Sequence, residues 1–228
     1  MQALEYQPAD PEEVANIIQD CKNDEGIRLD LPKKGLLAIP KEVRSLRKLK
    51  RLNLRNNAIS MFPTELCEVL PDLEILNLSF NRLQYLPENL SGMVRLRMLL
   101  LSHNELRELP EGLTNLILLQ ELRIDHNALT RVPGSMGKIE QLKIFTLSNN
   151  EVSRLPASML SLKHLEVLDL SENPLDYDNL PTSLHRLNEM FELLHRKDKR
   201  RMMVQRANAV RLGVRNSVQS AIMAGDDP

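Results

Sequence analysis

The sequence predicts an α/β solenoid: about seven stacked strand-and-turn units, with a helix before them and a helical extension after. Three observations predict it. An asparagine recurs at Asn57, Asn81, Asn104, Asn127, Asn150 and Asn173, one step of 24 residues followed by four of 23. A proline keeps nearly the same beat at Pro40, Pro63, Pro87, Pro110, Pro133, Pro156 and Pro181. Ahead of each asparagine runs an apolar alternation, as in "LQELRIDHN" from Leu119 to Asn127. A strand and a short turn cannot bury their own leucines, so such units must share them with the units before and after.

The elements follow in chain order. In "DPEEVANIIQDCKN", Asp10 suits the N-cap of a helix, Pro11 its first position, and Glu12 and Glu13 its positive end. Val14, Ile17, Ile18 and Cys21 share one face, which makes this a capping helix over the first unit. That unit, around "IRLDLPKKGLLAIP", is degenerate: Lys34 stands at the asparagine position and Gly26 at the first leucine position. The predicted segments are residues 1–25 with the cap, 26–187 with the repeats, and 188–228 as a basic helical extension.

Within a unit the alternation reads as a strand. Leu119, Leu122 and Ile124 should point inward, and Glu121, Arg123 and Asp125 outward. After each proline, apolar residues follow three and six positions on: Val43 and Leu46, Leu66 and Val69, Leu90 and Met93, and so on to Leu184 and Leu187. A spacing of three suits one face of a 3₁₀ turn, and a proline is tolerated where such a turn begins. The bend after each strand leaves backbone groups inside the stack. The asparagine carries two donors and an acceptor, enough to serve its own bend and its neighbour's in a ladder. Irregularities remain. Unit two has an extra residue around "CEVLPD", unit seven has two extra in "NPLDYDNLP", and Phe145 replaces a core leucine and should swell the stack.

The pattern LxxLxLxxNxLxxLPxxLxxL with its 23-residue step resembles the leucine-rich repeat proteins, most nearly the typical intracellular Ras-group class found in Ras-suppressor and Scribble-like repeat domains. The resemblance spans residues 26–187. It implies a curved solenoid with a parallel sheet on the concave side and short helical turns on the convex side. It also implies that protein partners bind the concave face.

Composition narrows the function. The 228 residues are 42% hydrophobic and 27% charged with a net charge of −1, which argues against a nucleic acid or an anionic membrane surface as partner. With no Trp, three Tyr and four Phe, the core must be aliphatic. Cys21 and Cys67 make no disulfide framework and suggest a reducing compartment. The first residues lack the basic-then-apolar order of a signal peptide, and no apolar run is long enough to span a membrane. The expected residence is cytoplasmic, with cytoskeletal or ciliary association open.

No Ser-His-Asp arrangement, phosphate-cradling loop or paired carboxylates emerge, so no enzymatic activity, cofactor or small-molecule substrate is expected. His103 and His126 fall at equivalent positions beside Asp125, but no third ligand completes a metal site. The outward strand positions carry the candidate site. Ile75, Met98, Leu100 and Phe80 cluster on neighbouring units, flanked by Arg51, Arg55, His103, Arg123 and His126. Contiguous apolar surface of this kind marks an interface. Charge along the face runs from Arg28, Lys33, Arg51 and Arg55 to Glu166, Asp169 and Glu172, which would orient a partner. In the extension, Arg196, Lys197, Lys199, Arg200 and Arg201 precede an apolar stripe through Met203, Val210 and Val214, suited either to fold back as a cap or to dock on a partner. The expected function is a non-enzymatic scaffold that binds a partner protein. Alternatives are a structural component of a cytoskeletal or ciliary assembly or, by family analogy, a regulatory subunit of a phosphatase or small-GTPase pathway.

Overall fold

The structure, a computed structural model, describes residues 10–175. Helix α1 spans Pro11–Asn23. The Asp10 carboxylate accepts the N–H groups of Glu12 and Glu13 at 3.0 and 3.4 Å, as an N-cap should. Val14, Ile18 and Cys21 are buried, with Ile17 packed half-buried beside them. The helix ends at Glu25 and Gly26, both with left-handed φ (62° and 68°), and the Gly26 N–H donates to Cys21 O.

Seven three-residue strands follow: β1 Arg28–Asp30, β2 Arg51–Asn53, β3 Ile75–Asn77, β4 Met98–Leu100, β5 Glu121–Arg123, β6 Ile144–Thr146 and β7 Val167–Asp169. They form one parallel sheet in sequence order. In register, Leu29, Leu52, Leu76, Leu99, Leu122, Phe145 and Leu168 make one row. Each is at most 1% exposed. Phe145 takes its place in that row without shifting the pairing on either side.

The return half of each unit is a 3₁₀ turn, at Lys41–Ser45, Glu88–Gly92, Glu111–Asn115, Met136–Lys138 and Ala157–Ser161. The repeated prolines stand just ahead of these turns, and their carbonyls accept the first closing N–H, as Pro110 O does from Leu113 at 3.1 Å. Unit two differs. Its return is a true α-helix, α2, Thr64–Val69. Here Leu70 N–H closes on Leu66 O, four residues back, where Leu116 closes on Leu113, three back. The extra residue therefore widens the turn and corrects the sequence expectation for Val69: Leu70 is fully buried in that place, and Val69 is only partly buried.

Successive return turns approach closely. A Cβ on Gly112 would stand 1.8 Å from Glu88 O, and one on Gly137 2.0 Å from Ser158 O, so only glycine fits. Cys21 and Cys67 are free, buried thiols. Burial pushes the Cys67 thiol up to about 12.

The recurring asparagines form the expected ladder. Asn127 Oδ1 accepts Leu106 N–H at 3.0 Å, while its Nδ2 donates to Leu101 O of the preceding unit and to Ile124 O of its own. Asn81, Asn104, Asn150 and Asn173 repeat the scheme. In the first unit Lys34 replaces the asparagine and pairs instead with Glu13 of α1, tying cap to stack. The end of the seventh unit, the predicted repeat boundary at 187 and the predicted extension lie outside the described residues.

Candidate functional site: the open face of the sheet

The middle residue of every strand points into the core. The first and third residues therefore share the opposite face; they are exposed or half-buried from β1 to β5, while Thr146 on β6 and Asp169 on β7 are buried. Arg51, Ile75, Met98 and Glu121 lie side by side across β2 to β5, as do Asn53, Asn77, Leu100 and Arg123. Ile75, Met98 and Leu100 are half-buried. Phe80, just beyond β3, keeps 37% of its surface exposed.

The backbone beyond the strands is unusual. Lys33, Asn56, Phe80, His103, His126, Asn149 and Glu172, each one residue before the asparagine position, all have φ between 54° and 59°. Left-handed backbone is strained for side chains such as Phe and Lys. At Lys33, Asn56, Phe80, His103, His126 and Asn149 it persists because the N–H group bonds across to the next unit, for example Phe80 to Ser102 O and His103 to Asp125 O, both at 2.8 Å. The shared conformation aligns the side chains in a column. The rings of Phe80 and His103 stack at 4.1 Å and those of His103 and His126 at 4.2 Å. The Arg55 guanidinium lies 4.7 Å above the Phe80 ring. Burial pushes the His103 pKa below its ordinary value, helped by His126 and Arg55 against the opposing pull of Asp125. At neutral pH the centre of the column is therefore uncharged.

Charges on this face divide into engaged and free. Arg28 is held by Asp30 and Arg123 by Glu121, both at 2.5 Å. Asp125 accepts from Ser102 Oγ, Thr146 Oγ1 and both the N–H and hydroxyl of Ser148. Asp169 is buried and accepts from Ser171. The expected acidic end is thus partly tied into the bends. Arg51 and Arg55, by contrast, have no acidic partner among the described residues. His126 is exposed at the other end of the column.

The structure thus brings Arg51, Arg55, Ile75, Phe80, Met98, Leu100, His103 and His126 together on one surface, with Arg123 at its margin bound to Glu121. Among the described residues no group of three His, Cys, Asp or Glu side chains converges. Arg196, Lys197, Lys199, Arg200, Arg201, Met203, Val210 and Val214 lie outside the described residues. The left-handed column was the feature sequence reasoning missed. Its signal was Asn56, His103, His126 and Asn149 at one repeat position, residue types enriched in that conformation.

Family models described as leucine rich repeat match residues 28–83, 47–106, 117–175 and 164–187. Comparison with curated proteins gives no match. Among solved structures, a leucine-rich repeat protein of Leptospira interrogans aligns over 73% of this chain and 47% of its own, with 28% identity and a TM-score of 0.54. YopM of Yersinia enterocolitica aligns over 76% and 35%, with 27% identity and a TM-score of 0.61. The plant peptide hormone receptor RGFR1, solved in complex with RGF2, aligns over 60% and 23%, with 33% identity and a TM-score of 0.56. The matched region is less than half of each of those proteins. No described helix is long and apolar enough to cross a membrane.

Proposed function

This chain belongs to the leucine-rich repeat family, and from that premise we propose that it is a non-enzymatic protein-binding scaffold whose open sheet face grips a partner. The observation that carries the reading is the preformed surface of Ile75, Met98 and Leu100 beside the ring column of Phe80, His103 and His126. Its backbone is fixed by cross-unit hydrogen bonds and its rings by stacking. Binding there orders little that is not already ordered, which favours affinity. A receptor in the same fold family, RGFR1, was solved with RGF2 bound, and this supports the same use here. The 23-residue step and the buried free thiols favour the intracellular typical class and a cytoplasmic residence.

In this reading the basic stretch with Arg196, Lys197, Lys199, Arg200 and Arg201 is a second docking element. Affinity capture with the full chain tests the first contact. Partners should be retained by the wild-type chain and lost with Met98→Asp and Leu100→Asp, both correctly folded by circular dichroism. If the charged variants keep every partner, the open face is not the site. A chain truncated after Leu194 should lose a subset of partners if the basic stretch docks.

A further inference from the structure

The open face has an asymmetry that the scaffold reading leaves unused. Its apolar centre adjoins two arginines, Arg51 and Arg55, that are unpaired among the described residues, although acidic residues stand close by. Asp30 is engaged by Arg28 and Asn53, and Glu74 by Lys50. Arg55 is exposed, and its guanidinium lies over the Phe80 ring, 4.7 Å from the centroid. Arg51 stands in register beside Ile75, itself beside Met98, and Arg55 lies against Phe80 at the same face.

Resting on the scaffold reading, we infer that the occupant of this face is an extended peptide segment of a partner protein, bearing an acidic side chain about three residues from an apolar one. The carboxylate meets Arg51 and Arg55, and the apolar side chain lies between Met98 and Leu100. The spacing follows from the sheet. Arg51 on β2 and Met98 on β4 are two strands apart, or about 10 Å. An extended segment with three residues per turn places residues i and i+3 on one side about 9 Å apart. Arginine recognises a carboxylate bidentately, which fixes the register of such a segment.

Two other occupants fit less well. The chain's own basic stretch, from Arg196 to Arg215, holds eight basic residues against Asp198 alone, so its charge does not complement Arg51 and Arg55. A single-stranded nucleic acid needs free aromatic faces for its bases. Here Phe80 lies between Arg55 and His103, and His103 lies between Phe80 and His126.

The test is selection from a displayed library of random short peptides on the full-length chain, followed by fluorescence anisotropy with the enriched peptides and with a labelled oligouridine. The expected result is enrichment of an acidic residue three positions from an apolar one, in either chain direction. Affinity should fall about tenfold with Arg51→Glu, the loss of one close charge pair. A peptide whose acidic residue is changed to lysine should recover affinity for that variant. Arg51 is exposed, so the variant should fold, and a circular-dichroism spectrum checks it. Enriched peptides without an acidic residue that still lose binding with Met98→Asp would overturn the inference and leave the scaffold reading standing. Peptides indifferent to both Arg51→Glu and Met98→Asp would overturn both. Oligouridine binding abolished by Arg51→Glu, or no enrichment at all, would overturn the inference alone.

Discussion

Replacing Asn127 with alanine should cost the fold about 2 kcal/mol, and the bonds around it explain why the figure is not larger. The asparagine makes three close contacts: it accepts from Leu106 N–H and donates to Leu101 O and Ile124 O. The two carbonyls are not orphaned by its loss. Leu101 O still receives Asn104 Nδ2 at 2.9 Å, and Ile124 O still receives Asn150 Nδ2 at 3.0 Å. Only the Leu106 N–H loses its partner, and one unsatisfied buried donor costs about 1–3 kcal/mol. Asn57 makes a contrasting case, because its Oδ1 accepts two N–H groups, from Lys34 and Leu36, each at 3.0 Å. Asn57→Ala should therefore cost more, about 3 kcal/mol. Urea unfolding followed by far-ultraviolet circular dichroism measures both, since the chain has no tryptophan. A loss below about 0.5 kcal/mol for Asn127→Ala, the size of a surface substitution, would refute the reasoning.

Three further outcomes follow. Gly112→Ala places a methyl against Glu88 O and should destabilise by about 2–3 kcal/mol through forced separation of two return turns; an unchanged urea midpoint would contradict the close approach. Lys33→Asn, at an exposed left-handed position with φ of 56°, should stabilise by about 0.5–1 kcal/mol by easing backbone strain, read as a higher melting temperature. Stability should also depend on pH through His103. Its folded pKa is lowered from the ordinary 6.5, so below that pH the unfolded chain binds a proton that the folded chain refuses. The contribution is fully present above 6.5 and declines as pH falls below it, levelling off once the folded form also protonates. The urea midpoint measured across that window should fall less for His103→Gln than for the wild-type chain.

Periodic features were legible in the sequence, and features set by cross-unit pairing were not. The leucine row and the asparagine ladder could be read because each demands one residue type at every step. Val69 was misjudged because an added residue changes the turn from a three- to a four-residue closure, and Leu70 then faces inward. The left-handed column was hidden because Lys33 and Phe80 have no preference for that backbone; the ladder to the next unit imposes it. Asp125 was read as an outward charge, yet four donors from Ser102, Thr146 and Ser148 converge on it. At the candidate site, strand alternation put Ile75, Met98 and Leu100 on the correct face. It could not say that Arg51 and Arg55 would stand without acidic partners among the described residues.

A layered assembly of this kind carries no intrinsic length, since each new layer offers the same template as the last. At β1 the outward backbone is that of Arg28 and Asp30, because Ile27 O and Leu31 N already bond to β2. The Cys21 thiol of α1 donates to Arg28 O at 3.1 Å. The first helix thus acts as a terminator as well as a lid: it occupies an acceptor that another copy's strand would otherwise use to extend the sheet between molecules.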